Sequence, residues 1–323
     1  MDACAKNCSR FNFSITKERQ IMIENFAQLI EVAKKKGPKK LIVAAAEDDV
    51  VLEAVKMAVD QKIIEPILVG NEPEIKKIAS QLNMEIPWPI IHQPDPTVSP
   101  KVAVEEIRNG KAEIIMKGLV GTPILLKAIL DKEKGLAKSK VLSHVGLIGT
   151  STYRKLMIMT DGGMVPAPTL DEKIEILKNA IIVARALGIS PIKVAVCSSV
   201  ETVSNKVVST MDAAILAKMG DRKQFGKDVI IDGPLAMDNA VNKHAAEHKG
   251  IVSEVAGDAD VLLMPNIESG NIFYKALVYL GNCNAETAGI VLGAKVPVIV
   301  PSRSDTAESK LNAIAASVLI AGI

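Results

Sequence analysis

The stretch that decides the fold is VPVIVPSRSDTAE, residues 296–308, where an aliphatic run meets a cluster of polar residues. Val296–Pro301 has the composition of a buried strand, and the residues after it are typical of a turn into a helix. In open α/β sheets, ligands bind beyond the carboxyl ends of strands and near helix N-termini. An arginine at this place, Arg303, favours a planar oxyanion such as phosphate or carboxylate. The junction therefore predicts a ligand site.

Strand and helix patterns alternate through the rest of the 323 residues. Hydrophobic residues make up 48% of the chain but aromatic residues only 3%, so the core must be aliphatic, as in parallel sheets covered by helices. Lys140–Ile148 and Lys155–Thr160 have no helical pattern between them and predict an antiparallel pair. Thr169–Glu172 matches a capping box and predicts the start of a long helix. We expect two α/β domains with mostly parallel sheets and a cleft between them.

The predicted first domain comprises residues 1–139 plus 302–323, and the second comprises residues 140–301. Ala307–Ile320 has the pattern of a helix with an apolar face. We expect this last helix to pack back on the first half of the chain.

Charge and composition disfavour several classes of protein. The net charge is +2, the basic cluster Lys34–Lys40 is typical of a solvated helix end and turn, and few aromatic residues are available to stack on bases, so no nucleic-acid partner is expected. Met1–Ser14 lacks the apolar segment of a signal peptide, and no run of 18 apolar residues predicts a membrane span. The four irregularly spaced cysteines, including an isolated pair at Cys4 and Cys8, are typical of free thiols. These features favour a cytoplasmic protein.

Loops rich in glycine or proline follow several predicted strands. Three of them, Met116–Thr122, Asp161–Pro168 and Pro265–Asn271, join the 302–308 junction as candidate parts of one cleft. The dinucleotide fingerprint, the Walker A loop and the G-x-S-x-G nucleophile elbow are absent from the sequence. These absences weaken the commonest α/β enzyme interpretations.

Some polar residues allow two interpretations. Thr122 is either a helix N-cap or part of an anion site. Asp305 and Glu308 are either capping residues or general bases. His144, inside an apolar strand, has the context of a hydrogen-bonded core residue. His244 and His248 are spaced for one helix face, but their lysine neighbours favour a solvated surface over a metal site.

At these loops the sequence resembles the phosphate acetyl/butyryltransferase family, and within it the butyryl branch. The resemblance covers nearly the whole chain after about Pro38. The segments that carry it are AAED (45–48), MKGLVGTPILL (116–126), VLSHV (141–145), DGPLAMDNAV (232–241), VAGDADVLL (255–263), IESGNIFYKAL (267–277) and SRSDTAESK (302–310).

The resemblance implies reversible transfer of a short-chain acyl group, with butyryl favoured, between coenzyme A and inorganic phosphate, giving acyl phosphate and free coenzyme A. It also implies two α/β domains, a homodimer or higher homo-oligomer, and direct transfer in a ternary complex. Coenzyme A is then a substrate, and neither a metal nor another cofactor takes part.

The resemblance also implies roles for individual residues. Arg303 would neutralise phosphoryl oxygens, and Ser302 would donate to the phosphate or to the developing oxyanion. Thr122 and Lys127 match positions near phosphate in acetyltransferase relatives. The remaining candidates for substrate binding are Gly270, Asn271, Asp161, whose role the resemblance does not specify, and Ser143.

The general base does not carry over from the acetyltransferase branch. That branch has an aspartate six residues after the arginine, and here the position is Ser309. Glu308 is preferred as the base over Asp305, and the positive field of Arg303 and Lys127 could itself favour the thiolate. Cys197 lies in an apolar strand, so no acyl-cysteine intermediate is expected.

Three other functions stay open. The first is phosphate acetyltransferase activity. The second is a metal- and NAD-dependent dehydrogenase of similar architecture, which would need clustered metal ligands. The third is a non-catalytic acyl-CoA sensor, which the presence of Ser302 and Arg303 disfavours.

Overall fold

Strands and helices alternate along residues 22–323, the part of the chain that this computed structural model describes. The predictions for residues 1–21, including the thiols of Cys4 and Cys8, lie outside the described residues. The strands are β1 (Lys39–Ala44), β2 (Ile64–Gly70), β3 (Ile90–His92), β4 (Ile114–Lys117), β5 (Ser143–Thr150), β6 (Tyr153–Thr160), β7 (Ile192–Cys197), β8 (Val229–Leu235), β9 (Val261–Leu263), β10 (Glu286–Leu292) and β11 (Val298–Ile299). The helices are α1 (Phe26–Lys36), α2 (Asp49–Asp60), α3 (Glu72–Gln81), α4 (Ser99–Arg108), α5 (Thr122–Ile129), α6 (Leu170–Ala186), α7 (Val208–Asp221), α8 (Met237–Val241), α9 (Lys243–His248), α10 (Ile267–Leu280) and α11 (Ala307–Ile320).

Local sequence explains where several helices begin. Asp48 is the N-cap of α2, and its carboxylate accepts a hydrogen bond from the Val51 amide (2.9 Å). The predicted capping box at the start of α6 is confirmed, because Thr169 and Glu172 each bond the other's backbone amide. Asn242 ends α8 and is the N-cap of α9, so the chain forms two short helices here instead of one.

The described strands form one sheet, in the order β3-β2-β1-β4-β11-β10-β5-β6-β9-β7-β8. The pairs at the centre, β11/β10, β10/β5 and β5/β6, are antiparallel, and the other neighbouring pairs are parallel. This confirms the mixed α/β class with mostly parallel strands and the antiparallel β5/β6 pair. It differs from the expected sheet in each domain, because the central strands join both halves into one sheet.

The C-terminal part of the chain returns to the first half. β11 pairs with β4 through Val298 opposite Ile115 and Ile299 opposite Met116, so the return begins before the predicted boundary at Ser302. α11 then packs against α1, α2 and β10, and almost all of its residues are buried. The division into two domains stays a prediction.

The sheet topology brings three strand ends together. β1, β4 and β11 lie close to one another in parallel, so their carboxyl ends point to the same edge of the sheet. The residues that follow them, Asp48, Gly118 and Ser302, therefore lie at one edge.

Gly118 permits a close approach between two of these chain segments. Its amide donates to the Ala44 carbonyl (2.8 Å), and a Cβ on Gly118 would lie 2.0 Å from the Ala45 carbonyl oxygen. Gly121, in the same loop, has its nearest neighbour at 3.8 Å from such a Cβ. The loop after β4 therefore depends on a glycine at 118 but not at 121.

We expect Gly118→Ala to destabilise the protein by about 1–3 kcal/mol, because the added methyl group meets rigid backbone. Thermal unfolding followed by circular dichroism measures the effect, with Gly121→Ala as the matched control within about 0.5 kcal/mol of the wild type. Equal melting temperatures for the two variants would show that the close approach is absent.

Candidate active site

Two cavities meet at Ser302. The first, of about 250 Å³, lies between the start of α2, the loop after β4 and the loop after β11. The second, of about 230 Å³, lies between the loop after β11, α10 and the central strands. Pro301 and Ser302 line both cavities, so this short segment separates two spaces that a ligand could join.

The first cavity is lined by three cations. Lys117 and Lys310 are buried, at 7% and 3% exposure, and Arg303 is exposed at the rim. The Lys117 ammonium donates to the carbonyl oxygens of Gly118 (3.1 Å) and Val120 (3.2 Å), and the Lys310 ammonium donates to the carbonyl oxygen of Asp305 (2.5 Å).

None of the three cations forms an ion pair with a carboxylate in the described part of the chain. Burial lowers the pKa of Lys117, the positive charges of Arg303 and Lys310 lower it further, and Asp48 opposes them. Asp48 and Asp49 also line this cavity, so the three cations leave a surplus of one positive charge, which is suited to an anion.

A tight turn fixes Ser302 at the boundary. The Ser302 amide donates to the Asp305 carboxylate (2.7 Å), and the Ser302 hydroxyl lies 3.0 Å from that of Ser304. Asp305 therefore stabilises this turn and is not the N-cap of α11, which is Thr306, so the predicted capping role of Asp305 at the helix start is wrong. Asp305 also lines the second cavity. A ligand that spans the two cavities could therefore contact both the Asp305 carboxylate and the Ser302 hydroxyl.

The second cavity combines polar groups with apolar walls. Thr122 and Asn271, both predicted site residues, line it together with His144. Its other lining residues are Met159, Gly162, Gly163, Met164, Tyr274, Lys275, Gly289, Val300, Pro301, Ser302 and Asp305.

The placement of Thr122 excludes one of its two interpretations. Gly121 is the N-cap of α5, and Thr122 is the first residue of the helix, so Thr122 is not the N-cap. Its half-buried side chain lines the second cavity near the positive end of the helix dipole.

Asp161 orders the glycine-rich loop after β6. It is buried at 2% exposure, and its carboxylate accepts hydrogen bonds from the amides of Gly163 (2.7 Å), Met164 (3.0 Å) and Val165 (3.1 Å). The contacts are internal to the loop, so Asp161 positions the cavity wall.

Gly270 and Asn271 hold α10 against the same loop. A Cβ on Gly270 would lie 2.7 Å from the Asp161 carbonyl oxygen, which makes glycine necessary there. The side-chain amide of Asn271 donates a hydrogen bond to the Gly162 carbonyl (3.3 Å), and the same side chain lines the cavity. Gly270 therefore allows α10 to pack closely against the loop, and Asn271 both contacts the loop and faces the second cavity.

Three predicted site residues lie elsewhere. Lys127 is exposed in the last turn of α5 and lines neither cavity. Ser143 is fully buried and accepts a hydrogen bond from Asn179 (2.8 Å). Glu308 lines a separate depression beside Glu53 and Lys56.

Glu308 lies in the first turn of α11 but does not form the predicted capping box with Asp305, because Thr306 is the N-cap and accepts a hydrogen bond from the Ser309 amide (3.2 Å). The Glu308 backbone amide, and then the Thr306 hydroxyl, hold the pKa of the Glu308 carboxyl below its usual value. Ser309, at the position where the acetyltransferase branch has its aspartate, shares a hydrogen bond with Thr287 (3.1 Å). Of the carboxylates considered as bases, Asp305 is the one that the structure places in the cleft.

The sequence interpretation missed Lys117, Lys310 and His144. A lysine at the end of the aliphatic strand IIMK was a usable signal for Lys117, because a charge is seldom buried without a reason. The expectation that His144 is a hydrogen-bonded core residue is wrong, since its Nδ1 is buried with no partner in the described residues. Lys310 gave no such signal, because its position on α11 does not show that its ammonium reaches back to the loop.

The metal interpretation finds no support in the described residues. His244 and His248 are exposed on α9 with their rings stacked 6.2 Å apart, and residues 22–323 contain no group of three or more potential metal ligands. A search of the same residues finds no helix that could span a membrane.

The mixed sheet, with a cation-lined cavity at its edge and a serine leading into a second cavity, defines an α/β enzyme that binds an oxyanion beside another substrate. The model of the family "Phosphate acetyl/butaryl transferase" matches residues 25–102 and 97–318. The chain belongs to this family.

Relatives on both branches of the family are similar to the chain. A phosphate butyryltransferase of Clostridium acetobutylicum is 44% identical, over 93% of this chain and 99% of the relative. A phosphate acetyltransferase of Thermotoga maritima is 42% identical, over 91% of this chain and 99% of the relative. The similarity therefore does not separate the two branches.

Solved structures share the fold. A branched-chain phosphotransacylase from Enterococcus faecalis superposes with a TM-score of 0.78 at 30% identity, over 88% of this chain and 99% of that one. The phosphotransacetylase EutD from Staphylococcus aureus superposes with a TM-score of 0.73 at 22% identity, over 92% of this chain and 99% of that one.

The placement of the two acidic residues predicts different effects of their amides. We expect Asp305→Asn to lower turnover by about 100-fold or more, because it removes the carboxylate from the cleft. Glu308→Gln, the matched control three residues away, should stay within about threefold of the wild type, because a glutamine can still serve the first turn. Steady-state rates would contradict this assignment if Glu308→Gln were the more damaging change.

Proposed function

We propose that the cleft transfers a short-chain acyl group, with butyryl favoured, reversibly between coenzyme A and inorganic phosphate. The observation that carries the proposal is the position of Ser302 between the cation-lined cavity and the partly apolar one. Membership of the phosphate acetyl/butyryl transferase family supports the reaction class.

The first cavity would bind the phosphate. Arg303 offers a planar fork of donors to phosphoryl oxygens, and Lys117 and Lys310 offer compact positive charges. Because the lysines bond only to backbone carbonyls within the described residues, protons of both ammonium groups remain for a ligand. The second cavity would hold the acyl group and the end of coenzyme A that carries the sulfur.

The reaction then needs no covalent intermediate. A phosphate oxygen attacks the thioester carbonyl carbon, the carbon–sulfur bond breaks, and coenzyme A leaves as the thiolate. The Ser302 hydroxyl, which lies at the boundary between the two cavities, would donate a hydrogen bond to the attacking phosphate. In the reverse direction Asp305 accepts the proton of the thiol, and the thiolate attacks the carbonyl carbon of the acyl phosphate. The bond between this carbon and the phosphate oxygen then breaks, and phosphate leaves and takes up the proton from Asp305.

Cysteine chemistry fits this direct path. Cys197 is buried, and burial raises the pKa of its thiol to about 12, so the residue is a neutral thiol at physiological pH. It lies at the end of β7 and lines neither cavity. An acyl-cysteine intermediate at this residue is therefore disfavoured.

The walls of the second cavity favour a longer acyl chain. Met159, Met164 and Val300 line it, and methionine adapts to irregular apolar groups. Butyryl has two more methylene groups than acetyl, each stabilised by about 0.8 kcal/mol when buried, so full burial would favour butyryl roughly tenfold.

The same proposal extends to cofactors, cellular compartment and oligomeric state. Coenzyme A and phosphate are substrates, and the reaction draws on no metal or further cofactor. Cys197 and Cys283 are free thiols, which suits the reducing cytoplasm expected from the sequence. Ile272, Tyr279 and Leu280 on α10 are 60–83% exposed, which suits a homodimer interface that sedimentation would detect.

The test is release of free thiol from butyryl-CoA, propionyl-CoA and acetyl-CoA with and without phosphate. We expect release to require phosphate and to be fastest with butyryl-CoA. A faster reaction with acetyl-CoA would assign the chain to acetyl transfer. Absence of phosphate-dependent release from all three would contradict the proposed function.

Two cationic residues provide the matched variants for this assay. Arg303→Ala should raise the KM for phosphate at least tenfold, because it removes the bidentate donor from the cavity rim. Lys127→Ala, which removes an exposed cation outside both cavities, should leave that KM within about twofold. The opposite result would move the phosphate to the face of α5 that carries Lys127.

A further inference from the structure

His144 lies in a slot formed by three glycines. A Cβ on Gly289 would lie 2.9 Å from the imidazole Nε2, one on Gly163 would lie 3.3 Å from the His144 Cγ, and one on Gly146 would lie 3.4 Å from Cε1. These glycines come from β10, from the loop after β6 and from β5 itself. A side chain at Gly289 or Gly163 would crowd the ring, so the slot matches an imidazole.

The strand register explains this slot. Gly146 is opposite Gly289, and His144 is opposite Val291, in the antiparallel β5/β10 pair. Residues two apart on a strand share one face of the sheet, so His144 and the two glycines lie on the same face. The imidazole therefore extends along the sheet over a pair of glycines, and it lines the cavity that also contains Ser302.

The two ring nitrogens have different environments. Nδ1 is buried and has no hydrogen-bond partner in the described part of the chain. Protonation of both nitrogens would leave a buried N–H group without an acceptor, so the neutral ring with its hydrogen on Nε2 suits the site best. Nε2 is then a donor beside Gly289, in the wall of the cavity.

Electrostatics agrees with a neutral imidazole. Burial lowers the pKa of His144, while the charges of Asp161 and Asp305 oppose this shift without reversing it. Both carboxylates already accept backbone hydrogen bonds, Asp161 from three amides and Asp305 from Ser302. A neutral imidazole of low basicity is a weak proton acceptor but still a hydrogen-bond donor.

We propose that the Nε2–H group of His144 donates a hydrogen bond to the carbonyl oxygen of the acyl group and stabilises its negative charge during transfer. The inference rests on the proposed function. When phosphate attacks, the carbonyl π electrons move to this oxygen, and they return when the carbon–sulfur bond breaks and the thiolate leaves. The His144 proton stays on Nε2 throughout, so His144 is an electrophilic catalytic residue and not a general base.

Substitution of His144 separates these roles. We expect His144→Ala to lower kcat by about 100- to 1000-fold, as removal of an oxyanion donor does, with the KM for phosphate within about threefold. His144→Gln retains an N–H donor but cannot act as a base near neutral pH, so it should recover at least tenfold over the alanine variant. Glutamine and alanine variants of equal inactivity would overturn the donor role, and an alanine variant within threefold of the wild type would exclude any catalytic role.

The glycine slot gives a second test that leaves the histidine in place. Gly289→Ala should lower kcat at least tenfold, because the new methyl group displaces Nε2, and Gly146→Ala should stay within about threefold, because its methyl group meets the ring at an ordinary distance. Unchanged kcat in Gly289→Ala would overturn the inference even if the His144 variants failed to fold. A wild type that releases no thiol would instead refute the proposed function.

Discussion

The short parallel contact between β4 and β11 is the constraint on which the cleft depends. β11 has just two residues, Val298 and Ile299, yet its pairing with β4 returns the chain to the first half of the sheet. It sets the end of β11 beside the end of β4, and so places the Ser302 turn next to Lys117. On its other side β11 pairs with the antiparallel strand β10, which in turn pairs with β5. Because β5 carries His144, these pairings place the Ser302 turn near His144 and the second cavity. One two-residue strand therefore relates the cation-lined cavity to the partly apolar one.

Buried cations without carboxylate partners give the cleft its chemical character. A buried charge is costly unless it is compensated, and within the described residues Lys117 and Lys310 donate hydrogen bonds only to backbone carbonyl oxygens. The charge of Asp48 compensates Lys117 in part, without a direct ion pair. An anionic ligand would complete the compensation, which links the energy of folding to that of binding. The same logic applies to His144, whose neutral ring is held in a slot with no partner for Nδ1. The fold thus holds binding groups ready before the substrates arrive.

Many elements of the fold could be predicted from the sequence, because they depend on local patterns of residues. The aliphatic strands, the α6 capping box, the limits of α11 and the glycine-rich loops all follow from composition and spacing, and the resemblance gave the family. The single sheet could not be predicted, because the pairing of β10 with β5 and of β11 with β4 joins strands that are distant in the chain. No local sequence pattern indicates such a pairing. The positions of Lys310, Glu308 and Lys127 also depend on how the helices face the cleft. Lys310 lines the first cavity although it was not predicted to, and Glu308 and Lys127, which were predicted site residues, line neither cavity. The sheet topology and the orientation of the helices therefore decide which of the candidate side chains lie in the cleft.

The central claim is that the cavity between Lys117 and Arg303 binds the phosphate. The most direct measurement is a crystal structure of the wild-type protein with inorganic phosphate and coenzyme A bound. This account predicts phosphate in contact with Lys117, Arg303 and Ser302, with the sulfur of coenzyme A in the cavity beside His144. Phosphate bound elsewhere, with the diphosphate or ribose phosphate of coenzyme A in the cation-lined cavity, would contradict it.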